Sequence, residues 1–594
     1  MEKQTPSEIR QNLLDQLTWQ SAERNDDEVA KMLYKGEKAD GVHTLDEAGL
    51  LDEFFAFLNE NGVLAFWKTY EIQQLQRVFL PTTYFMLLYG SRVLFGIESM
   101  NALPVLLFSN VAVMTLIGFN AQMVKEGMTK RGATQRTGER PYQLMDPQTL
   151  AETICKSSSQ ELEQLFNGTI NYLAKVGIFL GEIMVAIDGT KIITTEKFEG
   201  CGCLAVQKTQ QIRSGAKVQV LELLFGWRLI ALIDLTTLIP IAIKVVQIQC
   251  HESPYLIELV KQAQNNLAPY SRITTLVADR AYLDGADLYE LEQMRIRFVV
   301  IAKKDMVAYG TALCRTTESD IRYERIETVL HGQGRDQETE SLLTQVQVAF
   351  DIRTWDSYRP PPVKGKRLLI ADRPALNAVV VRIWQNKQLE HPRIYLTNQP
   401  IDNPWLIVDL YDDRSWIENG LFRNTKQFWT MTRWFPKKNA AGVLTHLTFV
   451  MLMTATATAF RLWSKAQAID TIEHAPAPTR HFSFQMIQPP EPSGPVPVEP
   501  DSAPQASSTH LAASLSEEHS PLAFSHHLLN GIGPSRWRMD LQFLNRDKLI
   551  VFFGNIYGIF DIPVFLTLTG VPFHLPPAFG SREDILTQYR LLLE

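Results

Sequence analysis

The feature that most constrains the fold is a change of hydrophobic period near Glu182. From there, short β-branched runs separated by turn residues replace the helical spacing of the preceding chain. Three or four such runs lead to a helix predicted to be capped by Ser253, then to a strand ending at Asp279, a helix capped near Asp284 and a strand over 298–302. Antiparallel strands that lead into strand–helix–strand crossovers indicate a mixed α/β sheet.

This order is typical of a ribonuclease-H-like catalytic core, which we predict as the fold class, preceded by a helical N-terminal domain. Residues 141–305 form the first part of the predicted core, and residues 306–400 are interpreted as a β-rich insertion because further strands and a Pro-rich turn follow there. Residues 401–470 are the second part, predicted to start as a strand and to become a helix at Tyr411. A second helix is predicted to pack on it and to end near Trp463.

The two ends of the chain differ from this core. Residues 1–140 show helical spacing without strand-like alternation and are interpreted as a helical DNA-binding domain. The region closes with a basic segment rich in Gly and Thr, which suits either a DNA backbone contact or a solvated linker. Residues 471–522 are rich in Pro, Ala and Ser and are predicted to be a disordered linker. Residues 523–594 form a short apolar tail that could cover the chain's own helical domain, form a dimer contact or seek a membrane.

Composition permits nucleic-acid binding without demonstrating it. The net charge is −7, but the acidity is concentrated at the two ends and the middle of the chain is mildly basic. Five scattered cysteines favour buried thiols in a reducing cytosol over a disulfide framework or a zinc site. We therefore expect a cytoplasmic protein.

Two apolar stretches, starting at Val78 and Ala102, raise the question of membrane insertion. Arg92, Pro104 and Asn110 interrupt them, so we interpret them as buried helices of a helical domain. The chain has no Gly-x4-Gly-Lys-Ser/Thr loop, so nucleotide hydrolysis is not supported.

Three acidic residues stand where chemistry is expected. Asp188 and Asp279 are each predicted to end a strand, where ligands bind in open α/β sheets, although a single such acid is usually a turn or cap residue. Tyr411, Arg414 and Glu418 follow at helical steps of three and four, so they share one face. A carboxylate beside a guanidinium suits a cation next to a phosphate, and a salt-bridged surface helix is the alternative.

The segments AIDGT, ADRAY and YDDRSWIENGLFRNTKQ together resemble the three signatures of the DDE transposases of bacterial insertion sequences. The Tyr-x2-Arg-x3-Glu pattern resembles the branch known as the insertion sequence four family, which has a Tyr-Arg-Glu-Lys signature. The resemblance runs from about Met123 to Trp463 and includes the strand order and the β insertion.

The resemblance implies that the chain cleaves transposon ends and transfers strands into target DNA as a homodimer on paired ends. Two Mg²⁺ ions, with Mn²⁺ as a substitute, would be held by Asp188, Asp279 and Glu418, and such ions can clamp the attacking and leaving oxygens of a phosphoryl displacement. The implied DNA contacts are Tyr411, Arg414, Lys426 and Arg280. A ribonuclease-H-like nuclease without strand transfer and an inactive, domesticated DNA-binding copy remain the alternatives.

One departure from the family pattern concerns the lysine. The family has Lys seven residues after Glu, whereas here Thr425 holds that position and Lys426 is eight residues away. At roughly 100° per residue, eight steps overshoot the face of Glu418 by about 80°. We predict that a helical bulge at Asn419-Gly420 absorbs the extra residue.

Overall fold

The computed structural model describes residues 21–45, 48–75, 80–126, 144–179, 181–211, 217–317, 323–331, 338–361, 368–385, 388–389, 391–473 and 548–570. The described strands are β1 Glu23–Arg24, β2 Gly41–Thr44, β3 Glu182–Thr194, β4 Gly202–Gln211, β5 Lys217–Asp234, β6 Pro240–Gln247, β7 Arg272–Ala278, β8 Arg297–Ile301, β9 Tyr323–His331, β10 Glu338–Ile352, β11 Leu376–Gln385, β12 Gln388–Leu389, β13 Arg393–Thr397, β14 Lys548–Phe553 and β15 Ile556–Asp561.

The described α-helices are α1 Asp26–Tyr34, α2 Leu51–Glu60, α3 Val63–Lys68, α4 Thr82–Leu94, α5 Leu103–Leu106, α6 Val111–Ile117, α7 Ala121–Glu126, α8 Pro147–Ile154, α9 Ser159–Lys175, α10 Leu256–Leu267, α11 Gly285–Gln293, α12 Val307–Thr317, α13 Pro404–Asp413, α14 Arg423–Phe428, α15 Ala440–Glu473 and α16 Ile562–Leu568. A π-helical turn, Ile417–Phe422, lies between α13 and α14.

A large mixed sheet is the centre of the described structure. Its strand order is β4-β5-β3-β7-β8-β13-β11-β10-β9, with β6 beside β5 and β12 beside β11. The pairs β3–β7 and β7–β8 are parallel, whereas β3–β5 and β5–β6 are antiparallel. The predicted mixed α/β architecture is therefore confirmed, and the run β6-β5-β3-β7-β8 is consistent with a ribonuclease-H-like core.

The insertion extends this sheet instead of forming a separate layer. Strand β13 pairs antiparallel with β8, β11 pairs with β13, and β10 and β9 follow outward. The backbone of β8 therefore hydrogen-bonds to the core on one side and to the insertion on the other, which ties the insertion rigidly to the strand that follows Asp279.

Helix α15 runs beside the sheet and contacts helices from the N-terminal region, α4 and α9 among them. Buried residues of α4, α9, α15 and the sheet belong to one continuous hydrophobic core. Within the described ranges, the stretch Ala440–Ser464 is long and apolar enough to cross a membrane, yet 83% of its most apolar window is buried in the protein. The bent pair Met100–Leu106 and Val111–Ile117 passes the same test only when counted as one span.

Several local expectations need correction. Residues 404–413 form a helix, not a strand, because the Asn403 side chain accepts a hydrogen bond from the Trp405 amide and Pro404 occupies the first turn. Ser253 does not cap its helix, since it lies inside a 3-10 turn whose preceding residue is Glu252. The last core helix continues beyond Trp463 to the end of α15.

Two further corrections concern strands. β3 does not end at Asp188 but continues to Thr194, because its second half remains paired with β5. The N-terminal region is not helical throughout, because it also contributes β1 and β2. These short strands form a four-stranded sheet with β15 and β14, in the order β1-β15-β14-β2.

The apolar tail therefore packs, over residues 548–570, against the chain's own N-terminal region. Val29 and Leu33 of α1 share a small core with Leu549 and Val551 of β14 and with Phe565 of α16. The predicted linker over 471–522 is wrong for its first three residues, which belong to α15; its remainder and the part of the basic segment over 127–143 lie outside the described residues.

Candidate active site

Asp188 and Asp279 are brought together by the central parallel strand pair. Ile187 of β3 is in register with Ala278 of β7; Asp188 is the next residue of β3, and Asp279 is the first residue after β7 ends. The Asp188 carboxylate accepts a hydrogen bond from the Gly189 amide at 2.8 Å, and the Asp279 carboxylate accepts one from the Arg280 amide at 2.6 Å. The two aspartates consequently lie on, and just after, adjacent strands at one edge of the core.

The helical segment after α13 brings the third acid to them. Nη1 of Arg414 lies 3.4 Å from Oδ2 of Asp188 and 3.1 Å from Oε1 of Glu418, so the guanidinium bridges both carboxylates. The Tyr411 hydroxyl donates to Oδ1 of Asp279 at 3.5 Å. Glu418 keeps 56% of its side chain exposed, whereas Asp188 and Arg414 keep 14% each. The site is thus open to solvent on the glutamate side.

The π-helical turn corrects the phase of the lysine. The turn spans Ile417–Phe422 and includes Asn419-Gly420, so the predicted bulge is confirmed. Beyond it, the Lys426 ammonium donates to the Thr190 hydroxyl, two residues after Asp188 on β3. Thr425 is fully buried and its hydroxyl donates to the Leu421 carbonyl at 2.8 Å. The extra residue therefore turns Lys426, not Thr425, toward the acids.

Burial and nearby charges shift the protonation of this site. Burial raises the pKa of Asp188 to about 7; the Gly189 amide and Arg414 oppose this shift, and Glu252 and Glu418 add to it. Burial also lowers the pKa of Lys426, although the negative charge of Asp188 opposes that change. A cation near Asp188 is therefore electrostatically favoured.

Sequence reasoning missed a buried group next to Asp188. The Glu252 carboxylate forms an ion pair with Arg228 of β5 and accepts a hydrogen bond from the Tyr282 hydroxyl at 3.1 Å. A Cβ atom on Gly189 would lie 2.5 Å from the carboxyl carbon of Glu252, so a larger residue beside Asp188 would force the Glu252 carboxylate to move. Glu252 thereby connects β5, the Asp188 strand and the turn that follows Asp279. Its only sequence signal was its position just before a helix.

Among the predicted site residues, Arg280 differs from the others: no described side-chain contact joins it to the three acids. Its backbone amide donates a hydrogen bond to the Asp279 carboxylate, and its side chain is exposed. An exposed guanidinium at this edge remains available to an anionic ligand.

The donor set fits a hard divalent cation in its chemistry. Carboxylate oxygens are the ligands that Mg²⁺ prefers. In this structure the positively charged guanidinium of Arg414 lies between the carboxylates of Asp188 and Glu418. Within the described residues, however, no group of three His, Cys, Asp or Glu side chains is already close enough to hold a metal ion. The cysteines, Cys155, Cys201, Cys203, Cys250 and Cys314, are free, but the prediction of buried thiols is confirmed only for Cys155, since Cys203 and Cys314 are exposed and the other two are partly exposed.

These features bring three acids to one region of a mixed α/β core: Asp188 on a strand, Asp279 just after the neighbouring parallel strand, and Glu418 on the π-helical turn, with a β insertion between the second and the third. Residues 180–454 match the family model of the transposase DDE domain, a range that includes all three acids and the whole insertion. This match supports a DDE transposase. No curated protein matches the chain.

Proposed function

We propose that the chain is a DNA transposase that cleaves transposon ends and transfers the freed strand into target DNA. The observation that supports this most strongly lies within the matched segment: Arg414 bridges Asp188 and Glu418, and Tyr411, on the same helical segment, contacts Asp279. Lys426 follows Glu418 by eight residues, and the π-helical turn directs its side chain to the face that the seven-residue spacing of the insertion sequence four branch would give, which favours that branch.

In this proposal the three acids hold two divalent ions, Mg²⁺ with Mn²⁺ as a substitute, and these ions supply Lewis-acid activation of the attacking and leaving oxygens. Arg414 and Lys426 bind phosphate oxygens, because a guanidinium fork and an ammonium match the charge of the DNA backbone. Tyr411 keeps the Asp279 carboxylate oriented through its hydroxyl. Arg280 contacts the backbone from the exposed edge.

The partners follow from the reaction. Concerted joining requires two transposon ends to be held together, so we propose a homodimer on paired DNA ends, acting in the cytoplasm at the nucleoid. The acidic net charge of −7 is compatible with this because the acidity is concentrated at the two ends of the chain, whereas Arg414 and Lys426 lie at the proposed site.

The first prediction tests the triad. Asp188→Asn, Asp279→Asn and Glu418→Gln should each reduce Mg²⁺-dependent cleavage of the element's terminal repeats to background, while DNA affinity changes by less than about threefold. Each change removes one carboxylate from the cation site, whereas affinity comes from phosphate contacts elsewhere. Cleavage and strand joining are measured on labelled duplexes in gels, and affinity by fluorescence anisotropy.

Asp402→Asn is the matched control, because Asp402 is exposed and lies outside the cluster. It should leave cleavage unchanged. Near-normal cleavage by any one triad variant would remove that residue from the proposed site. Cleavage without strand joining by the unmodified protein would instead favour a nuclease.

A further inference from the structure

A second buried polar cluster lies in the N-terminal region, and the proposed reaction does not use it. Arg92 of α4 is 1% exposed. Its guanidinium donates to the Trp434 carbonyl at 2.6 Å, the Glu98 carbonyl at 2.7 Å and the Tyr89 hydroxyl at 2.9 Å. None of these acceptors is charged, so the buried Arg92 guanidinium donates to two backbone carbonyls and a hydroxyl and has no ion-pair partner among these contacts.

A chain of hydrogen bonds continues from Arg92 to the same loop. The Tyr89 hydroxyl lies 2.9 Å from Nδ1 of His446, and Nε2 of His446 lies 2.9 Å from the Thr430 carbonyl. Burial and the nearby Arg92 charge lower the pKa of His446 to about 3, so the ring is neutral. A neutral ring that donates from Nε2 must accept at Nδ1, which fixes the direction of every hydrogen bond in the chain.

Both carbonyls held in this way belong to the loop over 429–439, between α14 and α15. Thr430 and Trp434 have φ values of 56° and 61°, in the left-handed region that residues other than glycine seldom adopt. Such backbone persists only when surrounding contacts enforce it, and it is concentrated at functional sites. Here the enforcing contacts are the hydrogen bonds from His446 and Arg92.

The loop holds one aromatic ring inside and presents another outside. Phe435 packs edge-on against Phe198 and His446, with ring centroids 5.7 Å and 5.2 Å apart. Trp434 is 45% exposed, and its neighbours Arg433 and Lys438 are also exposed. An exposed indole flanked by cations matches single-stranded nucleic acid, whose bases stack on aromatic rings while phosphates bind the cations.

The loop also adjoins the proposed site. It begins directly after α14, which carries Lys426, and the Glu199 amide donates to the Lys438 carbonyl at 3.0 Å, just beyond the strand of Asp188. We infer that the 429–439 loop is a DNA-contact surface on which Trp434 stacks against an unpaired base beside the cleaved phosphodiester, and Arg433 and Lys438 bind the adjoining phosphates. This inference rests on the proposed function, since it assigns more of the same DNA path.

The second prediction tests this surface by binding alone, with full-length protein and two duplexes: one blunt, the other identical but with unpaired bases at one end. Trp434→Ala should weaken binding of the unpaired-end duplex by about 5- to 150-fold, the effect of losing one base–aromatic stack, and Trp434→Phe should recover most of it. The blunt duplex should respond much less. Arg433→Gln with Lys438→Gln should reduce the slope of log affinity against log salt by about 2.

The controls separate this inference from the function on which it depends. Lys35→Gln, an exposed lysine beside the small sheet, should leave the salt slope unchanged. Equal affinities of wild type and Trp434→Ala for the unpaired-end duplex, with triad variants still blocking cleavage, would overturn the loop assignment and leave the transposase standing. A wild-type protein that neither binds nor cleaves DNA would overturn both.

Discussion

Two buried arginines show different uses of the same side chain. Arg228 of β5 forms an ion pair with Glu252, and both side chains are less than 15% exposed. Arg92, beneath the 429–439 loop, donates only to neutral acceptors among its described contacts. The first pair is electrically neutral and fixes the elements that carry the two aspartates. Arg92 instead keeps its positive charge buried, and its hydrogen bond to the Trp434 carbonyl holds backbone in the left-handed region. The comparison teaches that the acids depend on charge pairing and the loop on directed hydrogen bonds.

The largest loss of stability is expected when the Arg228–Glu252 ion pair is broken. Glu252→Ala leaves the Arg228 charge buried without its partner, so the free energy of unfolding should fall by about 3 kcal/mol or more. The Tyr282 hydroxyl loses its acceptor as well, and DNA cleavage should fall because the turn after Asp279 is released. Urea denaturation midpoints measure the stability change.

Glu258→Ala is the control for that experiment, since Glu258 pairs with Lys244 at the surface and each side chain is at least a third exposed. Its loss should cost less than about 1 kcal/mol. Equal effects of the two variants would contradict the view that the Arg228–Glu252 pair is a structural support of the site.

The next effect is a loss of stability in acid that arises from His446 in the loop cluster. His446 has a folded-state pKa lowered to about 3, whereas an unfolded histidine titrates near 6.5. The unfolded state therefore binds a proton first, and His446 should cost about 1.4 kcal/mol of stability per pH unit as pH falls from about 6.5 toward 3. Above about pH 6.5 His446 is neutral in both the folded and the unfolded state, so this loss of stability is absent. His446→Gln should remove this slope in a comparison of denaturation midpoints, and an unchanged slope would mean that the ring is solvated.

The smallest expected effect concerns Arg92 itself. Arg92→Met removes an unneutralised buried charge, which favours folding, but leaves the Trp434 and Glu98 carbonyls without that donor, which opposes it. We expect a net loss of only about 1–2 kcal/mol, together with faster tryptic cleavage at Arg433 and Lys438 in native protein. A loss as large as that of Glu252→Ala, or an unchanged cleavage rate, would contradict the contrast between the two arginines.

The sequence predicted the core of the fold because its signals are local. β-branched runs and the Asp284 cap, which accepts from the Ala286 amide at 2.9 Å, are read directly from neighbouring residues. The attachment of the insertion to β8 through β13 depends on pairing between distant segments, which no local pattern contains. Residues 404–413 were misread because a continuous apolar run suits a buried strand as well as a helix, and the Asn403-Pro404 start signal decides between them.

At the candidate site, too, local features were predictable and contacts between distant segments were not. The spacing of Tyr411, Arg414 and Glu418, and the single extra residue before Lys426, anticipated a shared face and a wide helical turn. Glu252 was missed because its partners lie on a different strand and on a turn, and only the folded sheet brings them to it. The roles of the acids in catalysis stay predictions until the triad variants are assayed.

The small sheet made from both regions of the chain has a consequence for synthesis on the ribosome. Strand β2 ends at Thr44, and its partner β14 begins at Lys548. At roughly 5–20 residues per second, β2 waits on the order of half a minute to two minutes for its partner to be translated. During that time Val42 and the apolar face of α1 lack the side chains that later bury them. A chain terminated before Lys548 never acquires that cover, so Val42 and the apolar face of α1 stay open to solvent for as long as that chain exists.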